Sequence, residues 1–276
     1  HQIAPEYVQQ VLDESVQAIL AVNLWGGTCN PIVMEQFAKE NGLQLYFDSA
    51  HAFGCEVNNK LVGRFGDLEV FSFHATKVLS SAEGGCITTN DDLLAARLRN
   101  IRSSYGSGPL VEVPLTSNGR MSEAQAAIAL MSLDDFSDNV NRNKRLFELY
   151  YSLINQIPGL QVVNPHFVNK SNYMYLVCEV DQSVFGLSRD LLLHILKAEN
   201  INARRYYYPG IHKCTPYNEM YPQYLNALQN TDYLCDSLII LPLGAFVNED
   251  IVIQICELLT SIQNHAELIN NLNVVI

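Results

Sequence analysis

The chain has 276 residues, 48% hydrophobic and 17% charged, with a formal net charge of −12. This composition supports a large core and excludes a disordered chain, and the length predicts one large domain or two unequal ones. So acidic a balance lacks the basic footprint of a general nucleic-acid binder, although a small phosphorylated ligand needs only local donors.

In chain order, "APEYVQQVLDESV" has helical spacing of its apolar residues, with Pro5 suited to a first turn. "QAILAVNL" reads as a short buried strand. "NPIVMEQFAKENG" reads as a helix capped by Asn30, with Pro31 at its first position and Gly42 just past its end. "LQLYFD", "LEVFSF" and "CITT" are predicted strands, the first ending in Asp48, and "NDDLLAARLRNIR" is a predicted helix. Strands alternating with helices predict an α/β layer with a largely parallel sheet. From "RMSEAQAAIALMSL" to "RNKRLFELYYSLINQIPG" the pattern is helical, and Pro158-Gly159 ends it. Then "NYMYLVCEVD" reads as a strand, "SRDLLLHILKAEN" as a capped helix, "INARRYYYP" as a strand and "EDIVIQICELLTSIQNH" as a final helix. The expected organisation is a large α/β domain over residues 1–134 and a smaller α+β domain over 135–276, joined through a long helix near residues 135 to 155.

No apolar run approaches the roughly 18 residues of a membrane span. The longest, "SLIILPLGAFV", is broken by Pro242 and Gly244, and "HQIAPEYVQQ" is no signal peptide. The seven cysteines are odd in number and include no CxxC, so reduced, mostly buried thiols in a cytosolic protein are expected, with no disulfide framework or metal site. "WGG" at 25–27 and "GSG" at 106–108 lack the spacing of a phosphate-binding fingerprint and read as turns, and the "NKS" at 169 goes unused in a cytosolic chain.

Chemistry concentrates in "VFSFHATKVLSSAEGG". Alone, Asp48 at a strand end reads as a cap and Lys77 as a solvated amine. Together with Ser72, they place an acid, a hydroxyl and a lysine in an apolar setting after successive strands of one sheet, where open α/β sheets bind ligands. An easily deprotonated lysine condenses readily with aldehydes. The aldehyde cofactor that uses one is pyridoxal 5'-phosphate, which also needs an acid at its ring nitrogen and donors for its phosphate.

"FDSAHAFGC", "VFSFHATK", "EGGCITTND" and "SNGRMSEAQAA" follow the order and spacing of the DegT/StrS-type nucleotide-sugar aminotransferases. The resemblance runs from about residue 5 to the C-terminus. It implies a fold type I pyridoxal-phosphate transferase, like aspartate aminotransferase. By position, Lys77 matches the lysine that bonds the cofactor's aldehyde and shuttles the proton, and Asp48 matches the acid at the ring nitrogen. His51 stands near the phenolic oxygen, Ala50 packs against the ring and Ser72 is a phosphate ligand. Asn118 matches an asparagine that reaches the phosphate from a partner subunit, which implies a homodimer with shared sites.

"GLSRD" and "AENINARRYYYPGIH" are most similar to enzymes acting on dTDP-linked 4-keto-6-deoxy sugars, with glutamate as the usual amino donor. Some members of the resembling family are dehydratases with histidine in place of the lysine, and Lys77 argues for transamination. His74 either sits near the cofactor or orients its loop. Arg204 or Arg205 either meets a carboxylate or diphosphate or belongs to a strand with aromatic core contacts, and His212 on the same loop is a further substrate candidate. Members of the family carry roughly a hundred more N-terminal residues, including a phosphate-binding turn, so the resemblance implies an N-terminally incomplete large domain. A non-catalytic dimeric scaffold is therefore the alternative to an enzyme.

Overall fold

The computed structural model describes residues 1–103 and 108–272. Among them the chain forms two compact units, one of residues 1–140 with 165–174, the other of 141–164 with 175–276.

The first unit opens with α1 (Pro5–Val11), β1 (Ala18–Val22), α2 (Pro31–Glu40) and β2 (Gln44–Asp48). A small antiparallel pair, β3 (Glu56–Val57) and β4 (Lys60–Leu61), precedes β5 (Leu68–Ser72) and β6 (Gly85–Thr88). The sheet order is β1-β2-β5-β6; the first three strands are parallel and β6 returns antiparallel. Side chains alternate across it. Ile19, Ala21, Leu45, Phe47 and Phe71 are buried on one face, in a core shared with Met34 and Ala38 of α2. Burying side chains of this kind stabilises by about 1.5–3 kcal/mol each. The Asn30 side chain caps α2 by accepting from Val33 N–H, as its sequence predicts. Asp91 caps α3 (Asp92–Arg102), and Ser122 with Gln125 forms a capping box at α4 (Glu123–Asp134). The helical stretch is interrupted at Asp135, and the long helix expected near residues 135 to 155 is α5 (Phe136–Ile154), which starts in the first unit and continues in the second. Of the turn expected at 106–108, only Gly108 is among the described residues.

The second unit holds an antiparallel sheet of β7 (Leu160–Val162), β8 (Leu176–Val180) and β9 (Leu238–Leu241). The apolar run "SLIILPLGAFV" thus supplies a fully buried strand, and among the described residues no helix is long and apolar enough to cross a membrane. After β8 come the one-turn α6 (Gln182–Phe185) and α7 (Arg189–Ala198), the latter capped by Ser188 and burying Leu191, Leu192, Leu193 and Leu196. Then α8 (Tyr217–Met220) and α9 (Gln229–Ser237) precede β9, and α10 (Glu249–Asn264) and α11 (Ala266–Asn271) follow it.

Two strand expectations need correction. "INARRYYYP" is not a strand: it makes a single bridge, Arg204 to Ile240, and then turns. Arg205 donates to Asp190 (2.9 Å) and lies 4.1 Å over the Tyr208 ring, contacts that hold the segment in a turn. Its aromatic content mimicked β-propensity. "NYMYLVCEVD" is strand only from Leu176, because Asn172 to Met174 belong to the first unit.

Candidate active site

The sheet topology brings the carboxyl ends of β2 and β5 side by side. Asp48 pairs with Val70, and Ser72 ends the same strand two residues later. From there residues 73–84 form the loop that carries Lys77. Lys77 N–H donates to His74 O (2.9 Å), and Ser81 N–H closes the loop onto Phe73 O (2.8 Å). Two contacts from α4 pin it: Ser80 N–H donates to Ser132 Oγ (3.0 Å) and Gln125 Nε2 to Glu83 O (2.9 Å). The Gly84-Gly85 pair then lets β6 return close to β5. A Cβ at Gly85 would strike the Phe71 carbonyl oxygen, and Gly84 adopts φ +150° beside Ser81. The sequence places glycine where the backbone has no room for a side chain.

Lys77 is half-buried. Burial lowers its ammonium pKa from the ordinary value, while the nearby Asp48 carboxylate pulls it back up. Desolvation wins, so the amine is biased toward its neutral, nucleophilic form. Asp48 Oδ1 accepts from Ala50 N–H (3.0 Å), which starts the turn leading to His51. His51 is only 4% exposed, and burial, with Lys77 adding to it, lowers its imidazole to about 3. Its Nδ1 accepts from Trp25 N–H (3.5 Å), assigning the ring proton to Nε2, and its ring lies 5.7 Å from that of Trp25. A neutral imidazole beside a lysine serves as a hydrogen-bond donor without adding charge.

His74 is exposed, with Nδ1 against Thr76 Oγ1 (2.9 Å) and accepting from Thr76 N–H (3.2 Å), and Nε2 3.6 Å from Glu83. All these contacts lie within the Lys77 loop. Ser72 Oγ accepts from His74 N–H (3.3 Å). Asn118 is exposed between α3 and α4, where its Oδ1 accepts from Arg120 Nε (3.1 Å). Arg204 and His212 belong to the second unit. There Arg204 is exposed and bonds Tyr206 Oη (3.1 Å), whereas His212 is buried with Nε2 on Asp232 (2.9 Å).

Several residues at the site carried no motif. "WGG" is indeed a turn, yet it also delivers Trp25 to His51. Asn172, far along the chain, donates to His51 O and Phe53 O (both 3.0 Å). Glu69 lies buried inside β5, accepting from Ser49 Oγ (2.6 Å), Gly63 N–H (2.7 Å) and Phe65 N–H (2.9 Å). Burial pushes its carboxyl up and these donors pull the other way. The signal for Glu69 was available: an acid in register with Phe71 on the core face of "LEVFSF" must find buried donors.

A family model for the DegT/DnrJ/EryC1/StrS aminotransferases matches residues 1–260. Among similar proteins, a dTDP-4-amino-4,6-dideoxy-D-glucose transaminase of Shigella dysenteriae is 33% identical over 252 residues, covering 89% of this chain and 66% of the relative. One of Escherichia coli with the same name is 28% identical over 255 residues, covering 91% and 68%. The crystal structure of DesI in the presence of its TDP-sugar product superposes with a TM-score of 0.89 at 35% identity, covering 99% of this chain and 69% of DesI. The chain thus spans about two thirds of the length of the relatives it matches. The mixed α/β architecture is that of the pyridoxal-phosphate transferases, and the chain belongs to the DegT/DnrJ/EryC1/StrS aminotransferase family.

Proposed function

We propose that this chain carries the pyridoxal 5'-phosphate site of an aminotransferase that converts the keto group of a dTDP-linked 4-keto-6-deoxy sugar to an amine, with glutamate as donor. The observation that carries the reading is Lys77, a partly buried amine of lowered basicity, electrostatically coupled to Asp48 and His51 on the neighbouring strand end. The residues fit the cofactor: one amine, one acid, one neutral donor and the Ser72 hydroxyl gather at the carboxyl ends of adjacent parallel strands. Bound pyridoxal phosphate supplies an aldehyde to condense with amines and a ring that accepts electrons.

In this reading Lys77 would hold the cofactor through its aldehyde and, once freed by the donor amine, would carry the proton exchanged at the carbon bearing the nitrogen. Asp48 would keep the ring nitrogen protonated, and His51 would donate from Nε2 to the phenolic oxygen. Ala50 would pack beside the ring, and Ser72 and Asn118 would donate to the phosphate. Nitrogen balances over two halves: glutamate leaves as 2-oxoglutarate, and the keto sugar leaves as the amino sugar. Lysine at position 77 favours this over dehydration. We infer also a large domain over residues 1–134 and a smaller one over 135–276, a homodimer in which Asn118 reaches the partner's site, and a cytoplasmic setting, a reading that the seven free cysteines support.

Borohydride reduction of the purified chain with pyridoxal phosphate, followed by peptide mass analysis, tests the site. A single adduct on Lys77, lost in Lys77→Ala, is expected. No adduct, or labelling scattered over surface lysines, overturns the reading for this chain and leaves the scaffold alternative. Formation of an amino sugar together with 2-oxoglutarate from glutamate and a dTDP-4-keto-6-deoxy sugar then tests the reaction, because the dehydratase alternative would leave the nitrogen as ammonia and the sugar without it.

A further inference from the structure

Glu69 is a costly residue for the middle of a strand. It is 1% exposed, and all its hydrogen bonds lie beneath the candidate site. Oε1 collects the Gly63 and Phe65 amides, while Oε2 accepts from the fully buried Ser49 hydroxyl. That hydroxyl accepts in turn from Asn23 Nδ2 (2.9 Å), and Asn23 Oδ1 accepts from Cys29 N–H (3.0 Å). Ser49 is the residue after Asp48. On the backbone, Asn23 N–H donates to Asp48 O and Ser49 N–H to Val70 O, both at 2.8 Å, and Ala52 N–H closes the turn onto Ser49 O (2.9 Å).

We propose that Glu69, acting through Ser49, is the positioning residue for Asp48 and His51. A serine hydroxyl with one donor and one charged acceptor has a single rotamer that satisfies both. Locking Ser49 fixes the turn from Asp48 to Ala52, and so the direction of the Asp48 carboxylate and the His51 imidazole toward Lys77. Because Glu69 also gathers the Gly63 and Phe65 amides, it joins the ends of β1 and β2 to the loop before β5. A hydrophobic residue at position 69 would pack but would leave Ser49, Asn23 and two backbone amides without this arrangement.

The proposal rests on the reading of Asp48 as the cofactor's acid, and the test separates the two. Glu69→Gln, Ser49→Ala and the double variant of this chain are compared with the parent by amide hydrogen exchange and by pyridoxal phosphate affinity. Each single change is expected to speed exchange at Ala50 and Ala52, and to weaken cofactor binding, by roughly tenfold. The double variant is expected to be no worse than the worse single, since both break one link. Effects that multiply toward roughly a hundredfold overturn the proposal, as does unchanged exchange in the turn. Ser49→Ala leaves Glu69 its two backbone donors, so it decides the matter if Glu69→Gln does not fold. Should the parent bind no pyridoxal phosphate, the cofactor reading fails for this chain. The exchange measurement, which needs no ligand, still decides the positioning role.

Discussion

Burial lowers the basicity of both Lys77 and His51, and the Lys77 charge makes His51 harder still to protonate. The consequence is a pH signature. An unfolded histidine titrates near 6.5, whereas folded His51 takes a proton only near 3. Between those values the unfolded chain binds a proton that the folded chain refuses, so stability is present above pH 6.5 and is lost as the pH falls. At pH 5 the loss from this residue is about 2 kcal/mol. Urea unfolding of the parent and of His51→Gln at pH 7.5 and pH 5 measures it. The parent is expected to lose about 2 kcal/mol more than the variant between the two conditions. Equal losses would mean that folded His51 accepts the proton near its ordinary pKa.

At the scale of elements, the Lys77 loop works because β6 can lie against β5 immediately after it. The pairing of Ser72 with Gly85 places a glycine where a Cβ would meet the Phe71 carbonyl oxygen. That obstacle is backbone and cannot rotate away. Gly85→Ala is therefore expected to cost about 2 kcal/mol in urea unfolding, whereas Ile87→Val, at a partly exposed position two residues on, costs less than about 0.5 kcal/mol. Equal effects would show that β6 shifts freely. Much of the chain was legible in the sequence where local chemistry specifies it: Asn30 and Ser188 as caps, alternation along "LEVFSF", and a Gly-Gly pair after Lys77. What was not legible is set by distant partners. Asn172 looks like the start of a strand until its side chain is found on the His51 and Phe53 carbonyls, 121 and 119 residues away in sequence. Tyr206 to Tyr208 look like a strand because nothing local shows that Asp190 will draw Arg205 aside.

Across the whole chain, the first unit's sheet treats its two faces differently. One face is core; the other carries Leu20 at 62%, Val22 at 42%, Val70 at 38% and Ile87 at 47% exposure in the same alternation as Asp48 and Ser72. The polar groups of the candidate site thus stand at the strand ends of a face whose middle is apolar and accessible. Folded stability draws little on side chains that remain so exposed, since the transfer that stabilises a core is incomplete for them. An apolar-surface dye, by contrast, should find them first. Threonine preserves the branched shape that strands favour while removing much of the apolar surface. In this chain, Leu20→Thr/Val70→Thr/Ile87→Thr is expected to lower dye fluorescence by about half. Its thermal midpoint should stay within about 4 °C of the parent. A large fall in the midpoint would place these side chains in the core; an undiminished dye signal would locate the dominant apolar surface elsewhere. The first result would also count against placing Asp48 and Ser72 on an accessible face, because the same alternation assigns all of them to one side of the sheet.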